Sequence, residues 1–382
     1  MKRIGGDGIQ FKGLRIGLKA GLKEVDRIKR LLESGVQEGV FPGAVVLVAR
    51  EGETFLRHEV GHKMLDPEPD PMERETIFDL ASLTKPLATT LAVARLVDQG
   101  RIGLDQPVGT WLPALADSDK AAITVRQLLC HQGGFPAHHL FYMTLKSILP
   151  LKRKAVVLDL LKHTPLAYQP GETVLYSDLG FMLLCRLVEA AAGCPMNEFL
   201  KAEIYDPLGL ADLFFVDLTR HHRPRRLFAA TELCPVRNRL LVGEVHDDNA
   251  WFAGGVDGHA GLFGTAEAVF QLLRFLVADF GGRSSRSTFS KEILSDVFHG
   301  DNKNPLPLGF DRPSVQKSSA GRYFSANTVG HLGFTGVSFW MDLEKEFCII
   351  LLTNRVHPFR WNTRLSQFRP LIHDRIVEHF EI

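Results

Sequence analysis

The chain has 382 residues, 45% of them hydrophobic, which is enough to bury the core of one large domain or two ordinary ones. Its 45 Lys and Arg residues balance 44 Asp and Glu residues, so no overall basic field attracts nucleic acid or anionic lipid. No apolar run reaches transmembrane length, and glycines interrupt residues 4–22 where a signal peptide would need an apolar core. We therefore expect no membrane span and a cytoplasmic protein, unless a misassigned start codon hides an export signal.

The N-terminal part predicts one helix and one hairpin. Apolar residues at helical spacing follow Leu22 and end near Gly35, which indicates an amphipathic helix. Residues 44–49 and 54–60 are rich in β-branched and apolar side chains and predict two strands. The polar turn around Gly52 should join them.

Ser82 and Lys85 carry the first chemical signal, because residues three apart lie on the same face of a helix. An amine beside a hydroxyl can activate the oxygen as a nucleophile once the amine has lost its proton. The apolar run at residues 87–97 predicts that this helix is buried, with Asp79 as its N-cap and Gly100 at its C-terminus. Ser82 should therefore lie at the start of a buried helix.

The same spacing recurs at Ser314 and Lys317, and it shows how little Ser-x-x-Lys proves alone. A chain of this length contains about one or two such pairs by chance. Residues 311–321 are polar and turn-forming and lack an apolar period, so we interpret the second pair as part of a surface loop.

The rest of the chain predicts a helical middle and a second group of strands. Helices are expected at residues 124–130, 155–162, 179–192, 196–204 and 265–279, the last capped by Thr265, with a surface loop at 281–290 and a closing helix at 364–380. Residues 337–343 alternate in polarity, whereas the segment 346–352 is continuously apolar after Glu346. The two segments therefore predict an edge-side strand and a central strand of one hairpin.

Strands near both ends with helices between them predict an α/β protein of the α+β type. Its antiparallel sheet would be built from both termini and flanked by helices, with a mainly helical lobe inserted. Residues 1–21 are expected to be a poorly structured extension before a single domain, 22–382. Within that domain the sheet lobe would comprise residues 22–103 and 255–382, and the helical lobe residues 104–254.

Two further motifs follow the Ser82 motif in order. Tyr176-Ser177-Asp178 comes after a Pro-Gly turn, and His331-Leu332-Gly333 precedes a predicted strand. In this order the chain resembles the penicillin-recognising serine hydrolases, which include class C β-lactamases, penicillin-binding proteins and family VIII esterases. The resemblance extends from about Leu22 to Asn354 and includes the segments 42–46, 123–129, 170–172 and 258–263.

This resemblance implies a β-lactamase/transpeptidase-like fold and a role for each matching residue. Ser82 would be the acylated nucleophile, and Lys85 with Tyr176 would relay its proton to the leaving group. The backbone N–H groups of Ser82 and Phe334 would form the oxyanion hole. Gly333, which has no side chain, would let the substrate approach that strand closely.

Two positions depart from the family pattern. Asp178 replaces the usual Asn, and a carboxylate cannot donate a hydrogen bond to a substrate carbonyl. If Asp178 is ionised, it should hold Lys85 protonated and shift the role of base toward Tyr176, although Asp178 could instead only cap its turn. His331 stands where many relatives have Lys, and a neutral imidazole attracts a substrate carboxylate less strongly than an ammonium does.

Residues 243–250 are unusually polar for a segment that leads into an apolar run. His246, Asp247 and Asn249 could line the substrate pocket, and a hydrogen-bonded clamp between elements is the alternative interpretation. The pairs His138-His139 and His221-His222 lack the spacing of a zinc site, and the five cysteines have no metal-ligand spacing. We therefore expect no metal, and reduced, buried thiols.

The sequence thus predicts a serine hydrolase that acts on ester or amide bonds through an acyl-enzyme and needs no cofactor. An esterase or a D-amino-acid peptidase of the carboxypeptidase type fits better than a β-lactamase, because His331 offers little charge. The expected partners are small ester, amide or D-amino-acid peptide substrates, not nucleic acid. A non-catalytic binding or scaffold protein that keeps the fold is the alternative.

Overall fold

The computed structural model describes residues 18–218, 223–285 and 287–380. The helices are α1 (Leu18–Gln37), α2 (Leu91–Asp98), α3 (Val125–Leu129), α4 (Tyr142–Leu145), α5 (Arg153–His163), α6 (Asp178–Ala192), α7 (Met196–Leu200), α8 (Asp248–Phe252), α9 (Ala266–Phe280), α10 (Lys291–His299) and α11 (Leu365–Phe380). The strands are β1 (Gly43–Arg50), β2 (Glu53–Met64), β3 (Asp70–Pro71), β4 (Phe78–Asp79), β5 (Leu213–Phe215), β6 (Ala230–Cys234), β7 (Arg239–Val242), β8 (Leu262–Gly264), β9 (Thr328–Leu332), β10 (Ser338–Asp342) and β11 (Phe347–Thr353).

The main sheet has six strands in the order β3-β2-β1-β11-β10-β9, and every neighbouring pair is antiparallel. Strands β1 to β3 come from the N-terminal part of the chain and β9 to β11 from the C-terminal part. At its centre β1 pairs with β11, from Ala44 opposite Thr353 to Arg50 opposite Phe347. The predicted fold class, an antiparallel sheet built from both ends of the chain and flanked by helices, is confirmed.

Helices cover both faces of this sheet. Because side chains alternate along a strand, Val46 and Val48 of β1 pack in a cluster with α1 and α11. Val45 and Leu47 join the larger core, which continues through α2, α6 and α9. The continuously apolar sequence of β11 is explained by this burial on both faces.

Most predicted elements are present with small changes at their ends. The predicted N-terminal helix is α1, the predicted hairpin is β1 and β2, and the closing helix is α11. Gly100 has a φ of +68° just after α2, the left-handed conformation expected at a helix C-terminus. Ser314 and Lys317 lie in an exposed loop, so the interpretation of this pair as a surface feature is confirmed.

The predicted helix after Ser82 is not continuous. Residues 81–83 form a 3₁₀ turn and residues 85–90 a π-helical segment before α2 begins at Leu91. Pro86 explains the break, because it has no N–H to donate to the helical ladder. Asp79 does not cap a helix in the usual way. Its carboxylate accepts the backbone N–H groups of Ala81 (2.8 Å) and His246 (2.6 Å), and so joins two distant segments.

The C-terminal hairpin was correctly predicted, but its position in the sheet was not. Strand β10 was expected on the edge side, yet β9 lies outside it and all five residues of β10 are buried. His331 therefore belongs to an edge strand of its own. The segment after Asp212, predicted to be irregular, contains β5 to β7, and α10 was not predicted. These strands have only three to five residues each, too few to show a clear period.

The predicted extension at residues 1–21 lies mostly outside the described residues, although residues 18–21 already belong to α1. The division into a sheet lobe and a helical lobe stays a prediction. None of the five cysteines forms a disulfide; four are buried and Cys194 is partly exposed. Within the described ranges, no single helix is long and apolar enough to cross a membrane. Only α6 combined with residues 196–205, at a bend of 68°, meets the length and composition criteria.

Substitution of Gly258 tests how tightly the loop before β8 packs on α6. A Cβ at this position would lie 2.0 Å from the Phe181 carbonyl oxygen, so Gly258→Ala must move backbone. We expect it to lower the free energy of unfolding by about 2 kcal/mol or more.

Gly180 in α6 is the matched control. A Cβ there would meet Leu128 at 3.6 Å, an ordinary contact, and Ala is favoured over Gly inside a helix. Gly180→Ala should therefore raise the free energy of unfolding by about 0.5 to 1 kcal/mol. Denaturant unfolding of both variants provides the measurement, and a neutral Gly258→Ala would contradict the packing described.

Candidate functional site

A cleft of about 660 Å³ lies at the start of the 3₁₀ turn that carries Ser82. Its walls come from separate parts of the chain: the loop before α4, the start of α6, the start of α8, the end of β9 and the start of α11. The residues that line it include Ser82, His138, Tyr176, Asp178, His246, Asp247, Asp248, Asn249, His259, Leu332, Gly333, Phe334, Arg355, Arg360 and Arg369.

The backbone before Ser82 has an uncommon conformation. Ala81 has a φ of +45°, in the left-handed region that residues other than glycine seldom adopt. The Asp79 carboxylate holds its N–H, and the Thr84 hydroxyl donates to its carbonyl oxygen at 2.6 Å. Hydrogen bonds on both sides of Ala81 thus fix the turn from which the Ser82 side chain projects into the cleft.

Lys85 is fully buried, and three acceptors surround its ammonium group. Its Nζ atom donates to Ser82 Oγ (3.1 Å), to Asp178 Oδ1 (2.8 Å) and to the His259 carbonyl oxygen (3.1 Å). An ammonium has three N–H donors, so each of them has a partner here. The structure therefore brings the predicted Ser82–Lys85 pair together and adds Asp178 to it.

The pKa values of Lys85 and Asp178 support an ion pair. Burial alone would lower the pKa of Lys85, but the Asp178 carboxylate and Tyr176 raise it above its usual value. Burial would likewise raise the pKa of Asp178, yet the Lys85 charge and the hydrogen bond with His138 keep it well below its usual range. Asp178 is also the first residue of α6, where the helix dipole favours a negative charge.

Tyr176 lies over the same ammonium, with Lys85 Nζ 4.9 Å from its ring centroid. Desolvation raises the pKa of its hydroxyl, and the Lys85 charge only partly offsets this effect. The hydroxyl also interacts with Ser82, and the side chain is 39% exposed at the cleft. Tyr176 is thus a phenol at neutral pH, placed beside both the predicted nucleophile and the ammonium.

The end of β9 packs directly against the Ser82 turn. A Cβ at Gly333 would lie 2.9 Å from the Leu80 carbonyl oxygen, and the Thr335 hydroxyl donates to the Asp79 carbonyl oxygen at 2.8 Å. The absence of a side chain at Gly333 is therefore required by this packing, whereas the sequence had suggested substrate approach as the reason. In the described part of the chain, no hydrogen bond uses the Phe334 N–H.

His331 is placed behind the site, not on the cleft wall. Its side chain is buried, and its ring centroid lies 6.0 Å from that of Tyr176. Burial lowers the pKa of its imidazole, which favours the neutral form. Leu332, the last residue of β9, and Phe334, two residues later, line the cleft, and Phe334 is half exposed.

The segment 246–249 mostly joins elements to one another. Asn249 accepts the Tyr142 N–H (2.9 Å) and donates to the His139 carbonyl oxygen (2.8 Å), which clamps the loop before α4. Asp247 caps α8 and contacts His259 Nε2 at 2.8 Å. His246 is buried, and its ring stacks on Phe334 with centroids 5.5 Å apart. These contacts match the clamp interpretation, although all three residues also line the cleft.

Sequence reasoning assigned no role to several residues that the structure brings to the site. His138 Nδ1 lies 3.3 Å from the second carboxylate oxygen of Asp178, and His259 supplies a carbonyl acceptor to Lys85. His131 Nδ1 accepts the Ser177 N–H at 3.0 Å, and burial lowers the pKa of that imidazole to about 3. Of these, only His259 lay in a segment that the family resemblance had indicated.

Three arginines, Arg355, Arg360 and Arg369, line the cleft near Phe334, and no sequence motif indicated them. In the part of the chain that the structure describes, no three His, Cys, Asp or Glu side chains are grouped so as to hold a metal ion. The histidine pair His221-His222 lies outside the described residues.

Similar sequences extend over most of the chain. It is 32% identical over 364 residues to a protein of Bacillus subtilis (strain 168) named "N-acetylmuramyl-L-alanine amidase", covering 88% of this chain and 82% of that one. It is 30% identical over 370 residues to a protein of Escherichia coli (strain K12) named "Putative D-alanyl-D-alanine carboxypeptidase", covering 89% of this chain and 84% of that one.

The fold is also found among solved structures. The hydrolase EstCE1, described as having promiscuous acyltransferase activity, superposes with a TM-score of 0.71 at 22% identity and covers 94% of this chain and 99% of its own. The family model described as Beta-lactamase matches residues 28–367. The chain therefore belongs to the Beta-lactamase family.

Proposed function

We propose that this protein is a serine hydrolase that cleaves amide or ester bonds through an acyl-enzyme on Ser82. The observation that carries the proposal is the buried Lys85 ammonium, 3.1 Å from Ser82 Oγ at the base of an open cleft. A Ser–Lys contact with only a structural role would not need the ammonium to be buried. Burying this charge costs free energy that its partners must offset.

In the acylation step, Ser82 Oγ attacks the substrate carbonyl carbon while its proton passes to a base. The carbonyl oxygen becomes negative and would be stabilised by the N–H groups of Ser82 and Phe334. As the tetrahedral intermediate collapses, the bond to the amine or alcohol breaks and the leaving group takes the proton. Water then attacks the acyl carbon by the reverse sequence and frees Ser82.

Tyr176 is the better candidate for the base. With Asp178 raising its pKa, Lys85 stays an ammonium and can donate to Ser82 Oγ but cannot accept its proton. Tyr176 has a raised pKa as well, so only a small fraction is phenolate at neutral pH. That fraction would be stabilised by Lys85, and it would grow as the pH rises.

The names of the two relatives favour an amide of a cell-wall peptide as substrate, such as a D-amino-acid peptide. Both relatives cover most of this chain, so their substrate class is the first to examine. A β-lactam is less favoured, because the position of the usual family lysine is taken by a buried, neutral imidazole.

A non-catalytic binding protein is the alternative. The observation in its favour is that every donor of Lys85 is already engaged and that the Tyr176 pKa is raised, so the resting site holds no ready base. The two hypotheses differ in whether Ser82 reacts.

Labelling with a fluorophosphonate separates these hypotheses. The wild-type protein should gain one adduct in intact mass, and Ser82→Ala should gain none and lose at least about 10³-fold in hydrolysis of a short-chain p-nitrophenyl ester. Ser314→Ala is the matched control, since it removes the serine of the surface pair with the same spacing. It should label and hydrolyse like the wild type. A wild-type protein that neither labels nor hydrolyses would instead support the binding protein.

The pH dependence of kcat/KM tests the role of Asp178. Its negative charge raises the pKa values of both Lys85 and Tyr176. Asp178→Asn removes this charge, so both groups lose their protons more easily and the rising limb of the pH–rate profile should move to lower pH. Asp248→Asn, which removes a different cleft carboxylate, should leave the limb in place. If the rising limb of the Asp178→Asn profile stays in place or moves to higher pH, the ionisation that it reports belongs to neither Lys85 nor Tyr176.

Turnover of three substrates separates the activities within the hydrolase class. We expect hydrolysis of a D-alanyl-D-alanine peptide and of a p-nitrophenyl ester to exceed that of penicillin. The measurement is kcat/KM for each substrate with the same enzyme preparation, and Ser82→Ala serves as the blank. Faster turnover of penicillin would overturn the substrate class proposed.

A further inference from the structure

The sequence from Lys120 to Leu158 has an uneven distribution of charge. It contains six Lys and Arg residues and no Asp or Glu, although the whole chain has 44 Asp and Glu among 382 residues. The net charge of +1 for the whole chain conceals this local excess. A local group of cations can attract an anionic surface even when the protein as a whole is nearly neutral.

Part of this stretch also exposes apolar side chains. The Met143 N–H donates to the Leu140 carbonyl oxygen at 3.1 Å, at the start of the short helix α4. Phe141 and Leu145 are buried in the main core and anchor this turn. Leu140 and Met143 are instead about half exposed. The exposed apolar side chains are therefore held in place by folded structure.

The two most exposed leucines of this stretch follow α4. Leu149 and Leu151 have exposed fractions of 69% and 98%, on either side of Pro150. Residues 150–152 form a 3₁₀ turn in which no residue is buried, so the turn projects from the surface. Exposed leucines scattered singly over a surface are ordinary, but four large apolar side chains exposed within residues 140–151 form a patch.

Cations without a carboxylate partner lie beside the patch. Lys146 and Lys152 are exposed, and among the described residues neither forms a salt bridge. Arg153 donates to backbone carbonyl oxygens and not to a carboxylate. Lys154, by contrast, is paired with Glu189 at 2.8 Å. The positive charge around the patch is therefore available to an anionic partner.

The acidic residues of the neighbouring helix do not neutralise these cations. Helix α8 packs against α4, and Asp247 and Asp248 lie at its start. Asp247 contacts His259 Nε2 at 2.8 Å, and Asp248 forms a salt bridge with Arg237 at 2.9 Å. Both carboxylates are thus engaged on the side of α8.

We propose that a surface formed by residues 140–152 docks on a lipid bilayer with anionic headgroups. Its contacting side chains would be Leu140, Met143, Lys146, Leu149, Leu151 and Lys152. Apolar side chains that insert below the headgroups and lysines that reach the lipid phosphates supply the two kinds of attraction that a stable peripheral contact needs. A protein partner would need an apolar hollow with an acidic rim to receive the projecting turn, whereas a fluid bilayer adapts to its shape.

Docking through the 140–152 surface would bring the cleft close to the membrane. Leu140 and Tyr142, at one end of this surface, line the same cleft as Ser82. Asn249 fixes this end, because it accepts the Tyr142 N–H at 2.9 Å and donates to the His139 carbonyl oxygen at 2.8 Å. Binding to a bilayer does not require Ser82 to react, so this proposal goes beyond the proposed function and does not depend on it.

Flotation of the full-length protein with lipid vesicles tests the 140–152 surface. At about 0.1 M salt, partitioning onto vesicles of phosphatidylcholine and phosphatidylglycerol in equal parts should exceed partitioning onto pure phosphatidylcholine by at least about 10-fold, and higher salt should reduce the difference. Lys146→Gln combined with Lys152→Gln should lower partitioning onto the anionic vesicles by about 10- to 30-fold. Leu149→Ser combined with Leu151→Ser should lower it by at least about 10-fold.

The loop between α10 and β9 offers a matched control. Val315 and Lys317 are both exposed there, so Val315→Ser combined with Lys317→Gln removes one apolar and one basic side chain from a different surface. This variant should bind vesicles like the wild type. The proposal is wrong if the wild type does not bind the anionic vesicles, if both variant pairs of the 140–152 surface bind as it does, or if the control loses as much binding as they do.

A tryptophan at the tip separates insertion into a bilayer from contact with another protein. Leu151→Trp keeps an apolar side chain there, and with anionic vesicles its added emission should shift to shorter wavelength and be quenched by brominated lipid chains. Val315→Trp should show neither effect. Absence of quenching in Leu151→Trp would reject the proposal. Dimers of the wild type that Leu149→Ser with Leu151→Ser dissociates would then assign the surface to a second copy of the chain.

Discussion

The buried ammonium of Lys85 is the constraint on which the site depends. A cation at this depth is stable only when all of its donors have partners, and here the three partners come from three parts of the chain. Ser82 belongs to the turn before α2, Asp178 to the start of α6, and the His259 carbonyl to the loop before β8. Moving any of these elements would leave an unpaired charge in the core, so one side chain fixes the geometry of the nucleophile.

The pairing of the Lys85 ammonium with Asp178 has a chemical consequence. The carboxylate of Asp178 makes the buried cation stable, but it also holds the proton on Lys85 and raises the pKa of the neighbouring phenol. A neutral amide at the same position would stabilise the ammonium less and would leave either base easier to deprotonate. The resting site is therefore stable. Activation of Ser82 requires a proton to leave Lys85 or Tyr176, and the pKa values of both groups are raised.

The parts of the site that the sequence predicted are those that local spacing or a short motif encodes. The Ser82–Lys85 contact follows from their separation of three residues, and the charge effect of Asp178 follows from its residue type. The burial of His331 and the contacts of Asn249 depend on segments more than a hundred residues away. No periodicity in the chain encodes such contacts. The edge position of β9 was missed for another reason: this strand pairs with its neighbour β10, but its five residues are too few to show a clear period.

The site contains two kinds of cation, which differ in whether the protein supplies a counter-charge. Lys85 is neutralised by the protein itself, so its surroundings are complete before any ligand arrives. Arg369 is also buried but has no counter-charge among the described residues, and its Nε atom has no partner there. The first cation lies between the turn before α2 and the start of α6, and the second is carried by α11 near the other end of the chain. Because the turn before α2 carries Ser82 whereas α11 carries Arg369, substitutions in α11 can change this wall of the cleft while the geometry at Ser82 is kept.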